Sequence, residues 1–376
     1  MEKVRLGDIV DTIQGSQYPV DEQIYIRKEG YERFLRISDY TKINEPERFV
    51  KYTGKELICT EEDVVVVRYG NIGSIGIGKA GILANNLFAL KKKGNKDIIS
   101  KYIYYFLRSK KINNVLVNKA NSSTMPALTH KMIKELEIPI YTKELEIKIV
   151  KELDKVQEII DLRKKQIEEL DELIKSQFVE MFGDISKNSK NYKIVNLSDI
   201  SQYWNGLTYK PSDINENGTI VLRSSNIQNG KLDYKDLIRV SCIIPPKKYV
   251  KNNDILMCSR NGSARLVGKV ALINNSNEDM SFGAFMMIIR SEYYPYLMTF
   301  FQMDSFRAQI STGATTTINQ ITSNMMNHVK LPLPSMDEIN KFAKIVEKID
   351  KQKITLEKNL KETEELQESL MNKYFN

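Results

Sequence analysis

The sequence predicts an α+β protein: two tandem α/β-type modules joined by two long antiparallel coiled-coil helices, with an approximate twofold relation between the halves. Three observations predict it. Motifs recur in the same order with a shift near 190 residues, half of the 376-residue chain. Each copy opens with mixed strand and helix patterning, and each closes in an uninterrupted, highly charged stretch of helical period. The expected division is a first module over residues 1–141, a long helix over 142–182, a second module over 183–335 and a second long helix over 336–376.

The repeat is legible residue by residue. Lys3-Val4-Arg5-Leu6-Gly7-Asp8-Ile9 returns as Ile194-Val195-Asn196-Leu197-Ser198-Asp199-Ile200, and both run on to a glycine, Gly15 and Gly206. Leu35-Arg36-Ile37-Ser38-Asp39 resembles Leu222-Arg223-Ser224-Ser225-Asn226. Asp63 and the apolar run after it match Asp254 and its run, each leading to an Arg-x-Gly, Arg68 to Gly70 and Arg260 to Gly262. Ser122-Ser123-Thr124 corresponds to Thr315-Thr316-Thr317, followed by Thr129 or Thr322, and Ile138-Pro139-Ile140 answers Leu331-Pro332-Leu333. One such match is noise; a shared order from end to end is a duplication.

Within the modules, the apolar runs 64–67, 255–257 and 285–289, bounded by Gly, Asn and Asp, predict strands, and the spacing over 98–107 and 296–306 predicts helices. In the first charged stretch Leu145, Ile149, Leu153, Val156, Ile160, Ile167, Leu170, Ile174, Phe178 and Met181 fall mostly three or four apart. Ile339, Phe342, Val346, Ile349, Leu356, Leu360, Thr363, Leu366, Leu370 and Tyr374 do so in the second. A narrow apolar stripe on a charged rod is a coiled-coil seam. Ser335 and Glu338 have capping-box spacing at the second start, and Gly183 stands where the first helix should stop. About 40 residues of helix span roughly 60 Å. A chain that leaves one module along the first rod and returns along the second lays the two antiparallel.

Composition narrows the function classes. Cys59, Cys242 and Cys258 are odd in number, with no C-x-x-C and no neighbouring His, so they read as buried thiols in a reducing compartment, with no disulfide framework and no metal site. The N-terminus is charged from its second residue and no run of about 18 apolar residues occurs, which points to a cytoplasmic protein with no membrane partner. The formal charge is +8, and it is segregated. Residues 1–141 hold 23 basic and 17 acidic side chains and residues 183–335 hold 17 and 11, so each module carries +6 while the rods together carry −4.

Motifs for catalysis are weak. Gly73-Ser74-Ile75-Gly76-Ile77-Gly78-Lys79-Ala80 has P-loop spacing, but Ala80 offers no hydroxyl to Mg²⁺ and the second copy breaks the spacing between Gly262 and Gly268, so a glycine-rich turn is expected. Glu146-Ile147-Lys148 is half of a nuclease pattern without its upstream carboxylate and reads as a solvated pair on the rod. His130 and His328 occupy unmatched positions, and there is neither an Asn-Pro-Pro-aromatic segment nor a G-x-S-x-G elbow. The chain is expected to be non-catalytic, with no catalytic residue and no cofactor of its own.

What recurs instead is a set of polar loops. The first holds Gln14, Gln17 and Tyr18 in one copy and Asn205, Thr208 and Tyr209 in the other; the second holds Arg36 and Ser38, and Arg223, Ser225 and Asn226. The third holds Arg68, Tyr69 and Asn71, and Arg260, Asn261, Ser263 and Arg265; the fourth holds Ser122, Ser123 and Thr124, and Thr315, Thr316 and Thr317. Arg suits guanine, Asn and Gln suit adenine, and hydroxyls hold phosphates, so these are candidate DNA-binding residues. Loops that differ between the copies should read two different half-sequences.

The doubled Leu6-Gly7-Asp8-Ile9 and Leu197-Ser198-Asp199-Ile200 openings, the Arg-x-Gly turns, the Ser/Thr-rich loops, the Pro139 and Pro332 exits and the paired long helices resemble the specificity subunits of Type I restriction-modification systems over the full chain. The resemblance implies that each module is a target recognition domain for double-stranded DNA and that the helices are a ruler between them. It also implies two modification subunits that methylate adenine with S-adenosylmethionine. Motor-nuclease subunits using ATP and Mg²⁺ would join for cleavage, those cofactors residing on the partners. Without the resemblance, the rival reading is a coiled-coil scaffold with protein-binding globular ends.

Overall fold

A computed structural model of the chain describes residues 2–42, 45–94, 98–121, 126–274, 278–311 and 320–376. It divides into two compact units: Met1–Lys165 with Glu357–Asn376, and Gln166–Leu356. Both long helices therefore contribute one part to each unit.

In the first unit an antiparallel sheet has the strand order Val10–Gln14, Leu87–Lys92, Val64–Val67, Ile75–Gly76. Every residue of Val64–Val67 is buried because both faces of this sheet are covered. Val64, Val66, Phe88 and Leu90 face the helix Ser100–Arg108, and Val65, Val67, Leu87 and Ala89 face a second cluster with Leu35 and Leu83. That is why the strand reads as a continuous apolar run and not as an alternation. A second sheet runs Phe49–Lys51, Tyr31–Leu35, Gly81–Leu83, Ile58–Cys59, with its two middle strands parallel. The pair Lys3–Arg5 with Glu137–Pro139 closes the unit, and the buried Tyr102 hydroxyl donates to the Pro139 carbonyl at 2.9 Å.

The second unit repeats the plan. Its main sheet runs Gln202–Asn205, Met286–Arg290, Ile255–Cys258, Val270–Leu272. The second sheet has Ile214–Leu222 between Ile238–Val240 and a parallel Met280–Phe282. Lys193–Asn196 pairs with Lys330–Leu333, and Tyr296 donates to the Pro332 carbonyl at 2.7 Å as Tyr102 does in the first unit. Two sequence expectations shift here. The stretch 296–306 is two helices, Tyr294–Phe300 and Asp304–Ser311, and the strand expected from residue 285 begins at Met286.

The long helices are Lys143–Phe182 and Met336–Phe375. Ser335 and Glu338 form the capping box, with Ser335 N–H on Glu338 Oε2 at 3.0 Å and Glu338 N–H on Ser335 Oγ at 3.4 Å. Gly183, at φ +76°, supplies the left-handed turn that ends the first helix. Their segments run antiparallel within each unit. In the first, Tyr374 reaches Glu152 at 2.6 Å, Gln367 reaches Gln157 at 3.0 Å, and Arg163 donates to Thr363 and the Asn359 carbonyl. In the second, Lys353 pairs with Asp171 and Phe342 packs on Phe178 and Phe182 with centroids 5.6 and 5.3 Å away.

The seam is more polar than the expected stripe. Leu145 and Leu366 are 36% and 51% exposed, while Lys353 and Thr363 are buried. Glu146, expected on the solvated face, is buried and accepts the Ile99 N–H at 3.1 Å. The start of Ser100–Arg108 lies against the first turn of the long helix, and the carboxylate takes the N–H of the residue that caps it, at the end where a helix favours negative charge.

Candidate nucleic-acid interface

The same main-chain frame gathers the polar loops in both units. After the first strand the chain passes so close to the opposite strand that only glycine fits. Gly15 lies on the Ala84 carbonyl and Gly206 on the Phe282 carbonyl, each leaving no room for a Cβ. The next residues lock the approach, Ser16 N–H on the Leu83 carbonyl at 2.7 Å and Leu207 N–H on the Phe282 carbonyl at 2.6 Å. The central strand then delivers Arg68, whose N–H bonds the Asn86 carbonyl at 2.9 Å, and Ser259, whose N–H bonds the Phe285 carbonyl at 2.9 Å. The fourth loop docks on the same residues, Leu128 N–H on the Arg68 carbonyl and Ile321 N–H on the Ser259 carbonyl. The second loop meets the third where Asn261 donates to Ser224 Oγ at 3.1 Å.

This register corrects the sequence alignment by one residue. Arg68 is equivalent to Ser259, and Tyr69, not Arg68, is equivalent to Arg260.

In the first unit Gln14 ties Arg68 and His130 into one network. Gln14 donates to the Asn85 and Leu87 carbonyls at 2.6 and 3.2 Å. Its Oε1 accepts Arg68 Nη1 at 2.7 Å and lies 2.9 Å from His130 Nε2. An amide with two donors and two acceptor lone pairs has nothing left for a base, so Gln14 is a brace and not a free reader. Arg68 also contacts the Tyr69 hydroxyl at 3.2 Å and lies over its ring. Tyr18 donates to Glu56 at 2.6 Å, and that bond, with Thr53, holds Glu56 down to about 2. Gln17 and Asn71 are exposed; Gln17 accepts Asn85 Nδ2 at 3.4 Å and the Asn71 carbonyl accepts Ser74 N–H.

In the second unit Asn205 repeats the brace with donors to Ser259 Oγ at 3.1 Å and to the Ala284 carbonyl at 3.4 Å. Lys248 donates to the carbonyls of Asn205 and Gly206, and burial, with Lys247 beside it, lowers its pKa. Thr208, Ser263 and Arg265 are exposed, and Tyr209 packs beside Leu207, Val221 and Val240. Asn261 caps its own turn by accepting Ser263 N–H at 2.9 Å. Arg260 is exposed, its guanidinium 5.5 Å from the ring centroid of Phe285.

The second pair of loops behaves differently from its expectation. Arg36 is clamped by Asp39, Glu45 and the Pro46 carbonyl, and Arg223 by Asp236 at 2.8 Å. A base would reach Arg36 only by displacing those partners, whereas Arg223 is engaged through Nη2 alone. Asn226 is fully buried, its amide donating to the Asp233 and Asp236 carbonyls and its Oδ1 accepting Arg223 N–H. Its amide is spent on closing the turn. Ser38 lies within the short helix Ile37–Thr41, and Ser225 is exposed with its carbonyl accepting Gln228 Nε2. Ser122, Ser123, Thr124, Thr315, Thr316 and Thr317 lie outside the described residues.

Other residues enter the cluster that sequence reasoning passed over. His130 stacks on Phe88 with centroids 4.5 Å apart, and burial, then Arg68 and Lys134, lower its pKa, keeping it neutral near pH 7. Asn85, Asn86 and Phe285 occupy the tight turns that the braces hold, marked by Leu87 N–H on the Ala84 carbonyl and Met286 N–H on the Gly283 carbonyl. The Gly73 to Lys79 stretch forms turns around the strand Ile75–Gly76, and Lys79 donates to the Asp39 carbonyl. Among the described residues no helix is long and apolar enough to cross a membrane.

The chain matches the family described as the Type I restriction modification DNA specificity domain twice, over residues 1–172 and 189–367. The MjaVIII specificity subunit of Methanocaldococcus jannaschii, named a Type I restriction enzyme subunit, is 25% identical across 99% of this chain and 91% of its own length. The EcoKI specificity subunit of Escherichia coli is 30% identical over 40% of this chain and 34% of its own length. In fold, the S subunit of a Type I restriction-modification system from M. genitalium aligns with all of this chain and 96% of its own, at TM-score 0.53 and 16% identity. A chain from a study of complex assembly and conformational transition in a Type I system aligns with all of this chain and 97% of its own, at TM-score 0.56 and 18% identity. With both halves matched, this chain belongs to the Type I restriction-modification DNA specificity family, as a specificity subunit.

Proposed function

We propose that this chain is the non-catalytic DNA-recognition subunit of a cytoplasmic Type I restriction-modification complex, each module reading one half of a bipartite, asymmetric double-stranded target. The long helices set the number of unread base pairs between the halves and dock two methyltransferase subunits, and a motor-nuclease subunit joins for cleavage. S-adenosylmethionine, ATP and Mg²⁺ belong to those partners. The observation that carries the reading is the duplicated loop frame with different side chains on it. Gln14, Arg68 and Tyr69 in one module stand where Asn205, Ser259 and Arg260 stand in the other. A main chain kept constant while its polar side chains change is suited to reading two sequences with one geometry. The +6 charge of each module supplies the phosphate attraction.

The test is to coexpress the chain with the methyltransferase encoded beside it and map methylated adenines across a genome. A motif of two unlike halves at fixed separation is expected. Methylation that is the same with and without this chain would reject the reading.

A further inference from the structure

The turns at 84–87 and 283–286 are absent from the loops that sequence comparison singles out, yet they sit in the middle of the gathered frame. Each is a tight turn between a strand of the second sheet and a strand of the main sheet, closed by Leu87 N–H on the Ala84 carbonyl at 2.9 Å and by Met286 N–H on the Gly283 carbonyl at 2.8 Å. Each is held from one side by the Gln14 or Asn205 amide. Each is held from the other by the main-chain bond from Arg68 or Ser259. A turn braced on both sides presents its two central side chains rigidly, and those differ completely: Asn85 and Asn86 in the first module, Ala284 and Phe285 in the second.

Their chemistry differs in a directed way. Phe285 is 60% exposed, with Arg260 alongside. A phenyl ring left in water beside a guanidinium, in a module carrying +6, suits an anionic partner that also presents an apolar group. The thymine C5-methyl in the major groove of DNA is such a group. Asn85 is exposed; Asn86 is half-buried, and its Oδ1, shielded from solvent by the chain itself, has no hydrogen-bond partner among the described residues, in contrast to the saturated amide of Gln14. A shielded, unpaired amide oxygen is costly, and turning the half-buried Asn86 side chain outward would satisfy it against the donor and acceptor edge of adenine.

We propose that these two turns are specificity-determining elements, Phe285 contacting a thymine methyl in one half-site and Asn86 hydrogen-bonding an adenine in the other. This rests on the DNA-recognition reading above and adds which element reads and what base it prefers. Gln14 and Asn205 act as positioning residues for the turns.

The experiment uses the full chain in complex with its methyltransferase. Methylation is mapped for the unaltered chain, for Phe285→Ala, for the double change Ala284→Asn with Phe285→Asn, and for Asn86→Ala, with thermal unfolding of each complex recorded. Phe285→Ala should lower methylation of the original site about tenfold to a hundredfold and relax one position of one half-site. The double change should alter preference at that same position toward adenine, and Asn86→Ala should relax one position in the other half. Motifs and rates unchanged in both Phe285→Ala and Asn86→Ala would overturn the proposal while leaving two-module recognition standing. If the Phe285 variants fail to fold, Asn86→Ala decides alone. Absence of any bipartite motif for the unaltered chain would instead defeat the reading on which this rests.

Discussion

The two modules share their backbone and diverge in their side chains, and the divergence is not evenly spread. Positions that hold the frame are kept in kind: Gly15 and Gly206 under opposing carbonyls, Tyr102 and Tyr296 on the carbonyls of Pro139 and Pro332, Thr129 and Thr322 capping short helices. Positions on the gathered loops are not. A network of Gln14, Arg68 and His130 in the first module is replaced by Asn205 and Ser259 in the second, where Arg260 lies against an exposed Phe285. The frame is under one physical constraint, close backbone packing, and the loops vary around it while keeping an amide brace, Gln14 or Asn205, in common. One geometry can then present two chemistries.

The strongest way to break this comparison is to attack the shared frame. Gly15→Ala and Gly206→Ala each drive a methyl group into a carbonyl of the neighbouring strand, so each should destabilise its own module by about 4 kcal/mol or more. Hydrogen exchange resolved by segment would show protection lost in the altered module and kept in the other. Loss in both, or in neither, would mean the two frames are not built alike.

A smaller effect separates the cores. Phe178, Phe182, Tyr296 and Phe342 form a four-ring cluster in the second unit. The corresponding long-helix positions in the first unit are Met371, Phe375 and Ile149, with Tyr102 matching Tyr296. Phe342→Ala should cost about 3–5 kcal/mol in chemical denaturation, more than Ile149→Ala, because ring-to-ring contacts are lost with the burial. Equal costs would mean that the aromatic geometry adds nothing.

How much of this was legible in the sequence follows from which constraints act locally. The duplication and the two rods were legible because helical period, capping residues and repeated glycines are local signals. The one-residue offset between Arg68 and Ser259 was not, since both copies offer an Arg-x-Gly and only strand pairing shows which arginine follows the strand. Phe285 was read as the start of a strand because an apolar residue beside an apolar run looks the same in the last residue of a turn. Glu146 was read as solvated because its partner, the start of a helix 47 positions earlier in the chain, is non-local. The internal partners of Arg36, Arg223 and Asn226 are not legible in the sequence because the carboxylates and carbonyls that engage them become neighbours only once the turns close.

Two finer tests sharpen the comparison. Lys353, buried against Asp171, has no charged equivalent in the first unit's seam at Ile160. Lys353→Met keeps the stem packing and removes a buried charge, so stability should be unchanged or higher by about 1 kcal/mol; a large loss would make the pair a true clamp. The smallest effect concerns Tyr18. Its hydroxyl, with Thr53, holds Glu56 at about 2, below the ordinary carboxylate value, so the bond stabilises the fold above that ordinary value and is lost as pH falls toward 2. In Tyr18→Phe the Glu56 carboxyl should titrate nearer its ordinary value by NMR, and stability should be lower at neutral pH but fall less between the ordinary carboxylate value and pH 2. An unmoved titration would remove Tyr18 from that role.

The central claim is that each module reads its own half of the target. Its most direct measurement is the methylation motif of the complex after residues 1–141 are exchanged for the corresponding module of another family member. One half of the motif should change, with the other half and the spacer preserved; a change in both halves, or in neither, would contradict it.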